Sequence, residues 1–147
     1  MITENVAITR IVVSLVLGAA IGIERQIHRH PAGLRTFTFI CMSATLAMLV
    51  SIYICQTNTN LLNGDPGRIA AQVLTGIGFL GAGLIIKKND DVMGLTTAAC
   101  IFMTAVIGLA VGAGMIKLSV IVTGIVLILL FSSQFIKFGK NDASPKP

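Results

Sequence analysis

Charged residues are absent from Thr36 to Gly64, from Ile69 to Ile86, from Val92 to Ile116 and from Leu118 to Ile136. A bilayer core is about 30 Å thick, so a transmembrane helix needs an apolar run of roughly 18 or more residues. One such run could be a buried helix of a soluble protein; four in succession point to a membrane. With the apolar segment that precedes them, they predict an all-α integral membrane protein with a bundle of five transmembrane helices: Val6–Ile23, Phe37–Cys55, Ile69–Ile86, Val92–Gly114 and Leu118–Ile136. The breaks between them carry turn chemistry. His28 to Gly33 contains Pro31 and Gly33, and Gln56 to Gly67 is rich in Asn with Gly64, Asp65 and Pro66. Lys87–Asp91 and Gly114–Lys117 read as tight turns. Residues 1–138 thus form one transmembrane domain, and 139–147 a polar, disordered cytoplasmic tail.

Composition agrees. Of 147 residues, 54% are hydrophobic and only 12% charged, too few polar groups to cover a soluble domain of this length. Met1–Arg10 lacks the positive n-region of a signal peptide, so the first helix is expected to be retained. The net charge of +5 reflects basic residues flanking spans rather than nucleic-acid binding. Placing the first loop, the third loop and the C-terminus together gathers eight cations (Arg25, Arg29, Arg35, Lys87, Lys88, Lys137, Lys140, Lys146) against three (Arg10, Arg68, Lys117) on the other side. Basic loops stay inside, so the N-terminus is expected outside and the C-terminus in the cytoplasm. The three cysteines, Cys41, Cys55 and Cys100, show neither a C-x-x-C nor an even count; they read as small packing residues, with no metal site.

Gly76-Ile77-Gly78-Phe79-Leu80-Gly81 matches the dinucleotide-binding pattern, but no strand precedes it and it sits inside an apolar span. Close helix packing explains these glycines better, with Gly83 beside them, and a broken or re-entrant helix is the alternative. Small residues also recur every four positions at Ser14, Gly18 and Gly22, and at Thr96, Cys100, Thr104, Gly108 and Gly112, the signature of tightly packed helix pairs. Arg68, Gln72, Thr75, Phe79 and Gly83 share one stripe of the third span. An amide in hydrocarbon needs a partner, so this stripe is expected to face another helix or a wet cavity.

Ionisable groups at membrane depth are the functional candidates: Arg10, Glu24, Arg25, Arg35 and Arg68. Glu24 is the one carboxylate placed to reach the membrane core, and it is expected to pair with Arg35, or with Arg25 as the alternative. One carboxylate offers Mg²⁺ few ligands. His28 and His30 read as basic loop residues.

Taken together, Gly18-x-x-x-Gly22-Ile23-Glu24-Arg25, Ala32-Gly33-Leu34-Arg35-Thr36, Arg68-Ile69-Ala70-Ala71-Gln72-Val73, Gly76-x-Gly78-Phe79-Leu80-Gly81-Ala82-Gly83 and Gly94-Leu95-Thr96-Thr97-Ala98-Ala99 closely resemble the MgtC/SapB family of bacterial membrane proteins. The blocks run in family order from about Arg10 to Gly114, and Arg10 fits an arginine that many members carry in the first helix. The resemblance implies an inner-membrane, multi-pass protein linked to growth in low Mg²⁺ and to stress adaptation. It implies regulation rather than enzymatic catalysis, and the F-type ATP synthase as a possible partner. Many MgtC-type members carry a cytoplasmic ACT-like domain after the last helix, and often Asn where Thr96 stands and Trp where Phe102 stands. These departures bring the chain closer to the short SapB/YhiD type.

The expectation is a protein without cofactor that works through membrane partners and forms a homo-oligomer in the lipid bilayer. The rival is a small ion transporter or channel whose polar pathway is lined by Gln72, Thr75, Thr96 and Thr104 and closed by Glu24 and Arg35.

Overall fold

The computed structural model describes residues 2–57, 65–88 and 91–138, with side chains described through residue 132. The expected tail 139–147 and part of the expected second loop, 58–64, lie outside the described residues. Five helices run in order: α1 (Glu4–Ile27), α2 (Leu34–Thr57), α3 (Gly67–Ala82), α4 (Leu95–Ala113) and α5 (Ile116–Phe138). Between α3 and α4 lies a small antiparallel hairpin of β1 (Ile86–Lys88) and β2 (Asp91–Met93), in which Ile86 faces Met93 and Lys88 faces Asp91. Three helices, α1, α2 and α4, are long and apolar enough to cross a membrane.

Side-chain contacts fix the direction of each helix. Gly18 lies against Phe37 and Cys41, and Gly22 against Leu34, so α1 and α2 form an antiparallel pair. Gly108 meets Cys41 and Gly112 meets Thr45 and Met48, so α4 runs parallel to α2. Gly81 near the end of α3 touches Ala98 near the start of α4. The His28 ring meets Phe131 of α5 edge-on, which sets α5 parallel to α1. Consecutive helices therefore alternate in direction. The turn after α1, the β-hairpin and the later part of α5 share one end of the bundle.

The centre is α4. It packs against each of the other four helices, and eleven of its nineteen residues are buried. Its ends are set by glycines at φ +90° (Gly94) and +93° (Gly114), conformations an L side chain rarely adopts. After Gly114, Met115 N–H donates to Ala110 O and Gly114 N–H to Val111 O, a Schellman closure of α4. The same pair of bonds closes α1, where His30 N–H donates to Arg25 O and Arg29 N–H to Gln26 O. There Arg29 itself takes the left-handed conformation, φ 55°.

The third expected span needs correction. Ile69–Ile86 does not stay helical: α3 ends at Ala82, Gly83 caps it, and Leu84 and Ile85 donate to the carbonyls of Gly81 and Ala82 in tighter three-residue turns. The glycines at 81 and 83 give little resistance to this unwinding, and the chain then enters β1. Val92 and Met93 likewise belong to β2 rather than to the fourth helix. With 16 residues, α3 is about 24 Å long, shorter than a hydrocarbon core of about 30 Å. It is continuous, so the glycine-rich Gly76–Gly81 stretch lies within one helix and is neither a strand-to-helix turn nor a break in that helix.

Candidate functional site

The tight glycines bring α1 and α2 close enough to bury two adjacent charged residues at the end of α1. Glu24 and Arg25 are each only 2% exposed. Neighbours on a helix point about 100° apart, so both side chains must bend toward each other to meet. They do so as a two-pronged pair: Arg25 Nη2 donates to Glu24 Oε1 at 2.8 Å, and Arg25 Nε donates to Oε2. His28, one turn on, completes the cluster. Its Nδ1 lies 2.8 Å from the Glu24 carbonyl oxygen and 3.2 Å from Glu24 Oε1. A carbonyl only accepts, so Nδ1 carries the proton. Phe131 meets the His28 ring edge-on at 6.4 Å, centroid to centroid.

Both oxygens of the only buried carboxylate among the described residues are thus held by one guanidinium. A cation seeking Glu24 as a ligand must first displace Arg25 and leave it unpaired in a buried site, at a cost of several kcal/mol, roughly 3–5. Among the described residues no three His, Cys, Asp or Glu side chains gather as metal ligands would.

The expected Glu24–Arg35 pair does not form. Arg35 is exposed in the first turn of α2, beside a polar recess of about 440 Å³ that Gln26, Gly33 and Thr36 also line. Gln26 instead caps that helix, its Oε1 accepting from Leu34 N–H at 3.2 Å. Arg25, the alternative, is the partner. His28, set aside as a basic loop residue, belongs to the cluster; its i+4 spacing from Glu24 was the available signal.

Arg10 has a different task. Its Nη1 donates to Gly112 O at 2.6 Å, placing a cation on the C-terminal carbonyls of α4. Arg68 is exposed at the start of α3. The polar pathway does not assemble within the chain. Gln72 and Thr75 are exposed on the outer face of α3, Thr96 is exposed at the start of α4, and buried Thr104 returns its hydroxyl to Cys100 O of its own helix. The stripe expected to face a helix or a wet cavity faces neither in one chain, because the buried side of α3 is the opposite one, with Val73, Leu74, Ile77 and Gly81.

The glycines divide in the same way. A Cβ on Gly18, Gly22, Gly108 or Gly112 would lie 2.3–2.8 Å from a neighbouring helix. Gly81 has ordinary contact with Ala98, Gly83 meets only carbonyls of its own last turn, and Gly76 and Gly78 have nothing within 4 Å. Two further polar contacts between distant segments were not among the expectations. Thr45 Oγ1 donates to Gly108 O at 2.7 Å, and Ser51 Oγ donates to Pro66 O at 2.8 Å. Gly108 was marked as a small packing position, but nothing in the sequence pointed to either hydrogen bond.

Comparison with known proteins gives this arrangement a family. The family model described as MgtC family matches residues 11–138. The chain is 42% identical over 139 residues to the Escherichia coli protein named "Putative magnesium transporter YhiD", covering 91% of this chain and 65% of that protein. An uncharacterized Haemophilus influenzae protein is 42% identical over 134 residues, 88% of this chain and 56% of its own length. "Protein MgtC" of Brucella abortus is 41% identical over 112 residues, 75% of this chain and 44% of that protein. The chain therefore spans between 44 and 65% of the length of these relatives. No solved structure matches. The glycine-packed first hairpin, the Glu24–Arg25 pair and the central α4 all fall within the matched region: the chain is a membrane protein that belongs to the MgtC family.

Proposed function

We propose that the protein is a non-enzymatic, multi-pass protein of the bacterial inner membrane that acts in Mg²⁺ homeostasis or stress adaptation by contact with other membrane proteins. The alternation of helix direction supports five spans. Arg29, Arg35, Lys87 and Lys88 share one end of the bundle, which supports a cytoplasmic location for that end and an outside N-terminus. The Mg²⁺ connection rests on the family and on the name of the Escherichia coli relative. The membrane sector of the F-type ATP synthase is the partner to test first, on the strength of the family resemblance.

One observation carries the regulatory reading: both carboxylate oxygens of Glu24 are occupied by Arg25, which makes the pair a structural clasp rather than a vacant ligand. The relative's name favours transport as the second reading. Purified protein in liposomes loaded with a Mg²⁺ indicator separates the two. The expected result is no flux above empty liposomes, together with in-cell crosslinking to a membrane protein and slower growth of a deletion strain at limiting Mg²⁺ with uptake retained. Saturable Mg²⁺ flux that disappears in Glu24→Gln would overturn this reading in favour of transport.

A further inference from the structure

The outward side of α3 combines polar, aromatic and glycine positions. At 100° per residue, Arg68, Gln72, Thr75 and Phe79 form one ridge, and Phe79 is 81% exposed. Gly76 lies on one flank of that ridge and Gly78 on the other, and a Cβ on either would meet nothing within 4 Å. The face is thus a ridge between two shallow grooves. Only Gly81 of this helix is buried. The outer face of α5, by contrast, carries Leu118, Ile121, Ile125, Ile128 and Leu129, a surface suited to acyl chains.

Lipid suits the α3 face poorly. Acyl chains offer the Gln72 amide neither a donor nor an acceptor, and an amide left unpaired in hydrocarbon costs several kcal/mol, roughly 2–7. The amide both donates and accepts, so it is its own complement. Two copies related by a two-fold axis along the membrane normal set Gln72 against Gln72 at one depth, satisfied by a reciprocal pair of hydrogen bonds. The open flank at Gly76, about 40° round the helix from Gln72, leaves room for the partner's Phe79 and lets the backbones approach. Arg68 lies at the end of α3, where its charge reaches water and the helices can diverge.

We propose that this face of α3 is the contact between two copies of the chain, paired through Gln72. The proposal rests on the five-span reading, which places α3 in the bilayer. A photoreactive benzoylphenylalanine at Phe79, in cells carrying two differently tagged copies, is expected to give a crosslinked band of twice the mass bearing both tags. The same probe at Ile128 on α5 is expected to give none. Gln72→Leu and, separately, Gly76→Leu are expected to lower the crosslinked fraction roughly three- to tenfold. Both sites are open in the single chain, so its fold is retained, as the unchanged Tm of a detergent-dispersed monomer would show.

A probe at Phe79 that marks only lipid or a different protein, or one that pairs copies no better than Ile128, overturns the dimer. Topology is read independently in a Cys55→Ser background, with a membrane-impermeant maleimide on Asp65→Cys and Lys88→Cys. Labelling from opposite sides upholds the span. Labelling of both from one side removes α3 from the bilayer, and the proposal falls with that reading rather than on its own.

Discussion

Replacing Gly108 by alanine adds a single methyl where α4 lies close against α2. The new Cβ would stand 2.3 Å from Cys41 O and 2.9 Å from the Ala44 Cβ. Ordinary contact begins at 3.4 Å, so the carbonyl is about 1.1 Å too near, and it belongs to backbone that no rotamer change can move aside. The two helices must separate by about that distance. Overpacking of this kind costs about 1–3 kcal/mol. The separation also stretches the Thr45–Gly108 bond, 2.7 Å long, and an interhelical bond in a membrane protein is worth about 0.6 kcal/mol. Against these losses, alanine recovers about 1 kcal/mol of helix propensity relative to glycine. The net expectation is a loss of about 0.5–2.5 kcal/mol. Gly124→Ala on α5 is the matched control, since nothing lies within 4 Å of its added Cβ. Unfolding in mixed micelles of rising SDS fraction, followed by far-UV circular dichroism, gives the difference between the two variants. Equal stability for Gly108→Ala and Gly124→Ala would refute the argument, because the propensity gain is common to both and only the packing differs.

The other predictions use the same assay. Glu24→Gln and Arg25→Gln should each destabilise by about 3–5 kcal/mol, by stranding a buried charge, whereas Glu24→Gln with Arg25→Met should regain most of the loss. Arg35→Gln should lie within about 0.5 kcal/mol of wild type, and a larger effect would place Arg35 in the cluster after all. Arg10→Gln should cost about 1–2 kcal/mol through loss of the charged cap on α4, with Arg10→Lys recovering part of it; full stability of the Gln variant would show that the Gly112 carbonyl finds another donor.

How much was legible in the sequence varies with the physics involved. The helices are long apolar runs, and hydropathy registers those directly: α1, α2 and α4 lie within a few residues of their expected bounds, apart from the charged or polar turns added at the ends of α1 and α2. The end of α3 was not legible, because Leu84, Ile85 and Ile86 are as apolar as a span, yet the backbone unwinds at Gly83 into a hairpin. Small-residue spacing marked Gly18, Gly22, Gly108 and Gly112 correctly as contact points but could not tell them from Gly76 and Gly78, which face outward. Spacing records that a helix has a small face, not which neighbour that face meets. The partner of Glu24 was misjudged for a related reason. Loop proximity favoured Arg35, whereas the rotamers that fold Arg25 back onto its neighbour depend on a burial that only the assembled bundle imposes.

The hydrogen bond from Arg10 to Gly112 spans 102 residues and bears on how the chain is made. At a synthesis rate of about 5–20 residues per second, α1 emerges roughly 5–20 s before the carbonyl that its arginine will cap. Throughout that interval the Arg10 guanidinium, near the start of the first helix, lacks this acceptor and must draw on water or lipid headgroups instead. A nascent chain halted after α3 has no acceptor at this position at all. Packing of α4 is therefore the step that completes the Arg10 contact, and variants that weaken α4 should leave α1 more open to proteolysis.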